Sequence, residues 1–299
     1  MLILLLVSCA PRPRPVITQT APVSQIRYFG EIKGIFGNEL LSAPVALAFD
    51  PTNNLYLVDQ GNNRIVKLNA TLEFAREEGG FGLGLNGLSR PSGITSDGGI
   101  NFFILDRGNN RVVRSDYNLV FADEIRFNNN PNLQALGKIA AIVYSRYGRM
   151  YLSDPDNMKV IALDKDYAIE AEILPPGGFA HCSALTIGDD GMLYVYDEDR
   201  KILYRFDSFG NSSGEIELPD AGVIADFLVY NGQVFATDKL RNELVIYDAA
   251  GSRIAAIGGL GSGPRNFNAP TGIALRSDNK LFVCDTGNDR IMIYEVAAK

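Results

Sequence analysis

The chain has 299 residues, 46% of them apolar and 10% aromatic, with 30 glycines and a net charge of −7. This composition suits a large packed core with many tight turns, and the acidic balance argues against a nucleic-acid partner, which would call for a basic face. One histidine, and three cysteines without CxxC or CxxH spacing, argue against a zinc site of the usual kind.

Residues 1–9, MLILLLVSC, form an apolar run too short to span a bilayer, which takes about 20 residues, and fit the h-region of an export signal. Leu6-Val7-Ser8-Cys9 resembles a bacterial lipobox, although no Lys or Arg precedes it. The resemblance implies lipidation at Cys9, a cell-envelope location and a membrane contact through the lipid alone. With Ala rather than Asp at position 10, it implies the outer membrane. Residues 10–25 carry Pro11, Pro13, Pro15 and Pro22, and are expected to form an extended spacer.

From residue 26 to 299 one phrase recurs. Asp59, Asp106, Asp154, Asp197, Asp238 and Asp285 each close a short apolar run and open a polar turn, at intervals of 47, 48, 43, 41 and 47 residues. Such a period marks a repeat of one supersecondary block. In the clearest unit, Ile273-Ala274-Leu275 reads as a first strand, Leu281 to Cys284 as a second and Arg290 to Tyr294 as a third. The second and third are apolar on both faces, as expected for sheets packed on either side. A fourth strand alternates, as in Ile169-Glu170-Ala171-Glu172-Ile173, and is expected to be half-buried. The last unit stops after its third strand, while an orphan strand, Ile26 to Phe29, precedes the first. The expected fold is all-β: a six-bladed propeller of four-stranded antiparallel blades, closed by the N-terminal strand. The chain has no tryptophan, which disfavours a WD-repeat propeller.

Asp59-Gln60-Gly61-Asn62-Asn63-Arg64-Ile65 resembles the core of the NHL repeat, as do the segments from Asp106 to Val112 and from Asp285 to Ile291. Units three to five depart from it, and unit five has Glu243 where the arginine stands. The resemblance implies a six-bladed propeller and says little about activity.

The six aspartates and Arg64, Arg111 and Arg290 read as structural. Each carboxylate is expected to accept N–H bonds from the Gly-Asn turn behind it, and each arginine to offer a fork to a carboxylate. On that basis Asp106→Ala would cost about 1–3 kcal/mol. Function is expected where the repeat symmetry breaks at the channel mouth: the Asn128–Asn132 loop, His181, Tyr196, Asp197 and Asp199 are the candidate binding residues. The cluster Asp197-Glu198-Asp199 lacks EF-hand spacing. Cys182 and Cys284 read as small buried fillers in different blades. GxSxG, HExxH and Walker motifs are missing, so no catalytic residue, metal or cofactor is assigned.

The expected function is therefore a non-enzymatic binding or scaffold propeller, tethered at the envelope and recognising a protein or glycan partner through its mouth. The alternative is a metal-dependent hydrolase or lyase. Similar six-bladed propellers include lactonases and peptide lyases, and the lyase type implies several histidines where this chain has one.

Overall fold

The computed structural model describes residues 23–298; Cys9 and the spacer up to residue 22 lie outside these. Blade one consists of Pro44–Phe49, Leu55–Asp59, Arg64–Leu68 and Phe74–Gly79, hydrogen-bonded in that order. Blade two is Pro91–Ser96, Asn101–Asp106, Arg111–Asp116 and Phe121–Arg126; blade three is Ala141–Tyr144, Met150–Asp154, Lys159–Leu163 and Ile169–Ile173. Blade four is Cys182–Ile187, Leu193–Asp197, Ile202–Phe206 and Ser212–Glu217; blade five is Ile224–Tyr230, Gln233–Asp238, Glu243–Tyr247 and Arg253–Gly258. Blade six has Pro270–Leu275, Lys280–Asp285 and Arg290–Ala298, and takes Val23–Ile32 as its outer strand. All neighbours are antiparallel, and the closing strand, longer than the sequence suggests, runs from Val23 opposite Ala298 to Ile32 opposite Ile291.

The ring is held by apolar packing between blades. Each hydrophobic cluster joins two neighbours, as Leu55, Leu57 and Val66 of blade one meet Phe282, Cys284 and Ile291 of blade six. Equivalent clusters fill every other junction round the ring. This is why the second and third strands are apolar on both faces: each faces two interfaces, and water reaches neither.

The repeated polar residues order the top of each blade, by a geometry that differs in part from expectation. In blades one, two and six the aspartate does not accept from the backbone of its own turn. One oxygen accepts the N–H of the residue 17 positions earlier: Ser42 to Asp59 at 2.8 Å, Ser89 to Asp106 at 2.8 Å, Asn268 to Asp285 at 2.7 Å. The other accepts the side-chain amides of Asn62, Asn109 and Asn288, and the Nε of Arg64, Arg111 and Arg290 at 2.7 Å. Only in blades three to five do turn amides, of Asn157, Arg200 and Arg241, reach Asp154, Asp197 and Asp238.

The rest of each guanidinium gathers the loop that enters the blade. Arg64 donates to the carbonyls of Phe36 and Glu39, Arg111 to those of Leu83, Gly84 and Gly87, and Arg290 to those of Ser262, Gly263 and Asn266. It also pairs with a fourth-strand glutamate: Glu77, Glu124 or, in blade six, Glu31 at 2.8 Å on the closing strand. Ring closure thus uses the same arginine as loop anchoring. Where blades four and five lack it, Arg200 and Arg241, two positions earlier in the unit, approach the aspartates at 3.9 and 3.3 Å.

The other motif positions have separate roles. Gly61, Gly108 and Gly287 are required for close approach, since a Cβ would fall 2.8, 2.4 and 2.8 Å from the carbonyl oxygens of Ser42, Ser89 and Asn268. The residue before the arginine is left-handed, with φ of 54° at Asn63 and 53° at Asp289. Its side chain reaches the next blade: Asn63 accepts from Arg90 N, and Asp289 from Ala43 N, both at 2.7 Å.

Asp106 and Arg111 are both fully buried. Removing the carboxylate leaves Arg111 Nε and the Asn109 amide without this acceptor and Glu124 as the arginine's remaining counter-charge, a larger penalty than loss of turn hydrogen bonds alone, so the expected cost of Asp106→Ala rises to about 3–5 kcal/mol. Urea denaturation checks this; a loss below about 1 kcal/mol, the range of exposed pairs, would contradict the buried-pair account.

Candidate functional site at the channel mouth

The short 3₁₀ turns Gln60–Asn62, Arg107–Asn109, Pro155–Asn157 and Thr286–Asn288 lie at one end of the ring, with the loops entering the blades. There the first strands bend. A bulge follows the first strand residue in blades one, two, four, five and six, after Pro44, Pro91, Cys182, Ile224 and Pro270. Bulges re-aim side chains, and here the two residues after the bend both reach the axis in most blades: Val45 and Ala46, Ser183 and Ala184, Ala225 and Asp226, Thr271 and Gly272 all line a central cavity of about 420 Å³.

The second of these positions is Ala46, Gly93, Ala141, Ala184 and Gly272 in five blades, and Asp226 in blade five. Small residues are needed because neighbouring inner strands nearly touch; a Cβ at Gly272 would lie 2.6 Å from the Val45 oxygen. Asp226 breaks this rule by bonding across the junction. Its carboxylate accepts from Ile273 N of blade six at 3.1 Å and from Phe227 N at 2.9 Å. Burial pushes this carboxyl up to about 7, against the opposing pull of the two N–H groups.

A second asymmetry lies just outside. The residue following each repeat aspartate is Gln60, Arg107, Pro155, Glu198, Lys239 and Thr286 in turn. The first five line the central cavity with His181 and Asp156. A framework position thus presents a different side chain from each blade. Over blades one to three the mouth widens into a depression of about 700 Å³, which adds Arg90, Asn110 and Gly137.

The sequence candidates divide. His181 lies on the cavity, as does Glu198, whose N–H donates to the His181 carbonyl at 2.9 Å. Tyr196 does not reach the mouth: it is fully buried between blades four and five, because the second strand is enclosed on both faces. Asp197 is also fully buried, and accepts from Ala180 N at 2.7 Å and His181 N at 3.1 Å. It therefore belongs to the framework. Asp199 is exposed on its turn, away from the cavity lining. Cys182 and Cys284 are free and buried, and burial pushes the Cys182 thiol up to about 11.

Asp226, Arg107, Lys138 and Lys239 are the functional candidates missed by motif reading. Superposing the six units would have revealed Asp226, as the one charge in a column of Ala and Gly. Among the described residues, no three His, Cys, Asp or Glu side chains converge closely enough to hold a metal ion.

Residues 220–298 match a family described as a 6-bladed beta-propeller. No curated protein matches the chain. Among solved structures, virginiamycin B lyase from Staphylococcus aureus, as a catalytically inactive form with quinupristin, is 14% identical with a TM-score of 0.62, over 94% of this chain and 97% of that one. A gluconolactonase from Xanthomonas campestris is 13% identical with a TM-score of 0.61, over 93% and 97%. The beta-propeller domain of Swd1 from Myceliophteria thermophila is 14% identical with a TM-score of 0.65, over 91% and 100%. At these identities the likeness is one of fold.

The raised pKa of Asp226 makes stability depend on pH. An acid titrating near 7 in the fold and near 3.9 in the unfolded chain keeps a proton that the unfolded chain has released. Its contribution therefore declines as pH rises between about 4 and 7. Relative to wild type, Asp226→Asn should gain stability from about pH 5 to pH 8 in urea denaturation; parallel pH profiles for the two proteins would contradict the shift.

Proposed function

We propose that the chain is an envelope-tethered, NHL-type binding propeller that recognises a protein or glycan partner through its channel mouth, without catalysis. The observation that carries this reading is the ring of five dissimilar residues, Gln60, Arg107, Pro155, Glu198 and Lys239, on an otherwise repeated framework. Uniform positions hold the blades, and the variable one faces the cavity. The tether rests on the lipobox resemblance at Cys9. The course of the closing strand supports it: Ile32 lies at the mouth end and Val23 at the far end, so the chain enters from the face opposite the mouth. A lipid anchor on that side leaves the mouth open to a partner.

A channel hydrolase or lyase is the second reading, favoured by Asp226 with its raised pKa on the same cavity as His181. Calorimetry with calcium, followed by a lactone-hydrolysis assay, separates the two. Tight stoichiometric binding, with turnover lost in Asp226→Asn, would replace the binding reading.

Two outcomes are expected in cells. Cys9→Ala should move the protein from the membrane fraction to the soluble one; unchanged fractionation would contradict lipid tethering. A photocrosslinking residue at Asn110, in the mouth, should give a discrete adduct, whereas one at Tyr147, exposed on the turn joining the first two strands of blade three, should give none. Equal labelling from both positions would count against a recognition mouth.

A further inference from the structure

Resting on the binding reading, we infer that the mouth sector over blades one to three docks an acidic protein segment that also carries apolar side chains. Arg90, Arg107 and Lys138 line the 700 Å³ depression and are exposed, and among the described residues their side chains have neither an ion-pair nor a hydrogen-bond partner. On a chain with a net charge of −7, most other basic side chains are paired, including the exposed Arg27, Lys33 and Lys165. Asp156, the one carboxylate in the depression, accepts from Lys138 N at 2.9 Å and pairs with none of the three cations. Three unpaired cations around one concavity call for an anionic ligand.

The apolar half is carried by the loop entering blade two. The loop that ends at Arg90 exposes Phe81 by 82% and Leu83 by 74%. It is held rigidly: Arg111 grips its carbonyls, and Asn109, on the turn that carries Arg107, donates to Gly82 O at 2.9 Å. The equivalent loop over the neighbouring blade one exposes Leu40 by 65%. Exposed apolar side chains on ordered loops mark an interaction surface. They are mainly aliphatic, which suits apolar protein side chains better than sugar hydroxyls. A flat layer of lipid headgroups would rest on the loop tips without entering the depression. The chemistry therefore favours a polypeptide with acidic residues for the depression and Leu- or Phe-like residues for the loops.

Selection of a random dodecapeptide display library on the immobilised propeller tests this. Peptides retained by wild type should be enriched in Asp or Glu together with Leu or Phe. Their affinity should fall about tenfold in Arg107→Glu/Lys138→Glu, about fivefold in Phe81→Ser/Leu83→Ser, and steeply with salt. All four side chains are exposed, so melting temperatures should stay within about 2 °C of wild type. Retained peptides without acidic bias would leave the mouth a binding face but overturn the chemistry assigned to it. So would tighter binding of polygalacturonate or of phosphatidylglycerol vesicles, abolished by the same variants, which would assign the surface to a glycan or a lipid. Retention of no peptide would overturn the inference outright.

Discussion

The structure depends on a buried ion pair that recurs at the top of three blades. Arg64, Arg111 and Arg290 lie against Asp59, Asp106 and Asp285 at 2.7 Å, with little or no access to water. An isolated buried pair is a weak source of stability, because desolvating two charges offsets their attraction. Here the guanidinium also satisfies loop carbonyls and a fourth-strand glutamate, so most of its donors are used. One side chain thereby joins the second, third and fourth strands of its blade to the loop entering the first. In blade six that fourth strand is the N-terminal one, and ring closure follows from the same geometry.

This framework was legible in the sequence because it is periodic. Residues that perform the same task in successive blades recur at the same offset, so the aspartates, the arginines and the strand order could all be read directly. The acceptor geometry was not legible. The donors to Asp59 and Asp106 come from Ser42 and Ser89, 17 residues upstream, and only the folded loop brings them near. Nor was the substitute cation, since Arg200 and Arg241 stand three residues after the aspartate and not at the motif's fifth position after it.

The mouth was harder to read for the converse reason. Residues that break a repeat carry no periodic signal, and neighbours in sequence diverge in space. Tyr196 and Glu198 flank Asp197, yet one is sealed between blades and the other lines the cavity. Strand alternation does not predict this, because both faces of the second strand are buried. Asp226 is informative only against its counterparts in the other blades, where the inner strands crowd and Ala or Gly is required.

Division of labour between these two sets of residues is the central proposal: buried repeat positions carry the fold, and the residues after the aspartates of blades one to five are proposed to carry recognition. Thr286 shows what a blade tolerates at that position. Replacing Gln60, Arg107, Glu198 and Lys239 together by threonine, and measuring both the melting temperature and the mouth crosslink, tests the division directly. The account predicts melting within about 5 °C of wild type and loss of the crosslinked adduct. Collapse of the fold, or an adduct of undiminished yield, would contradict it.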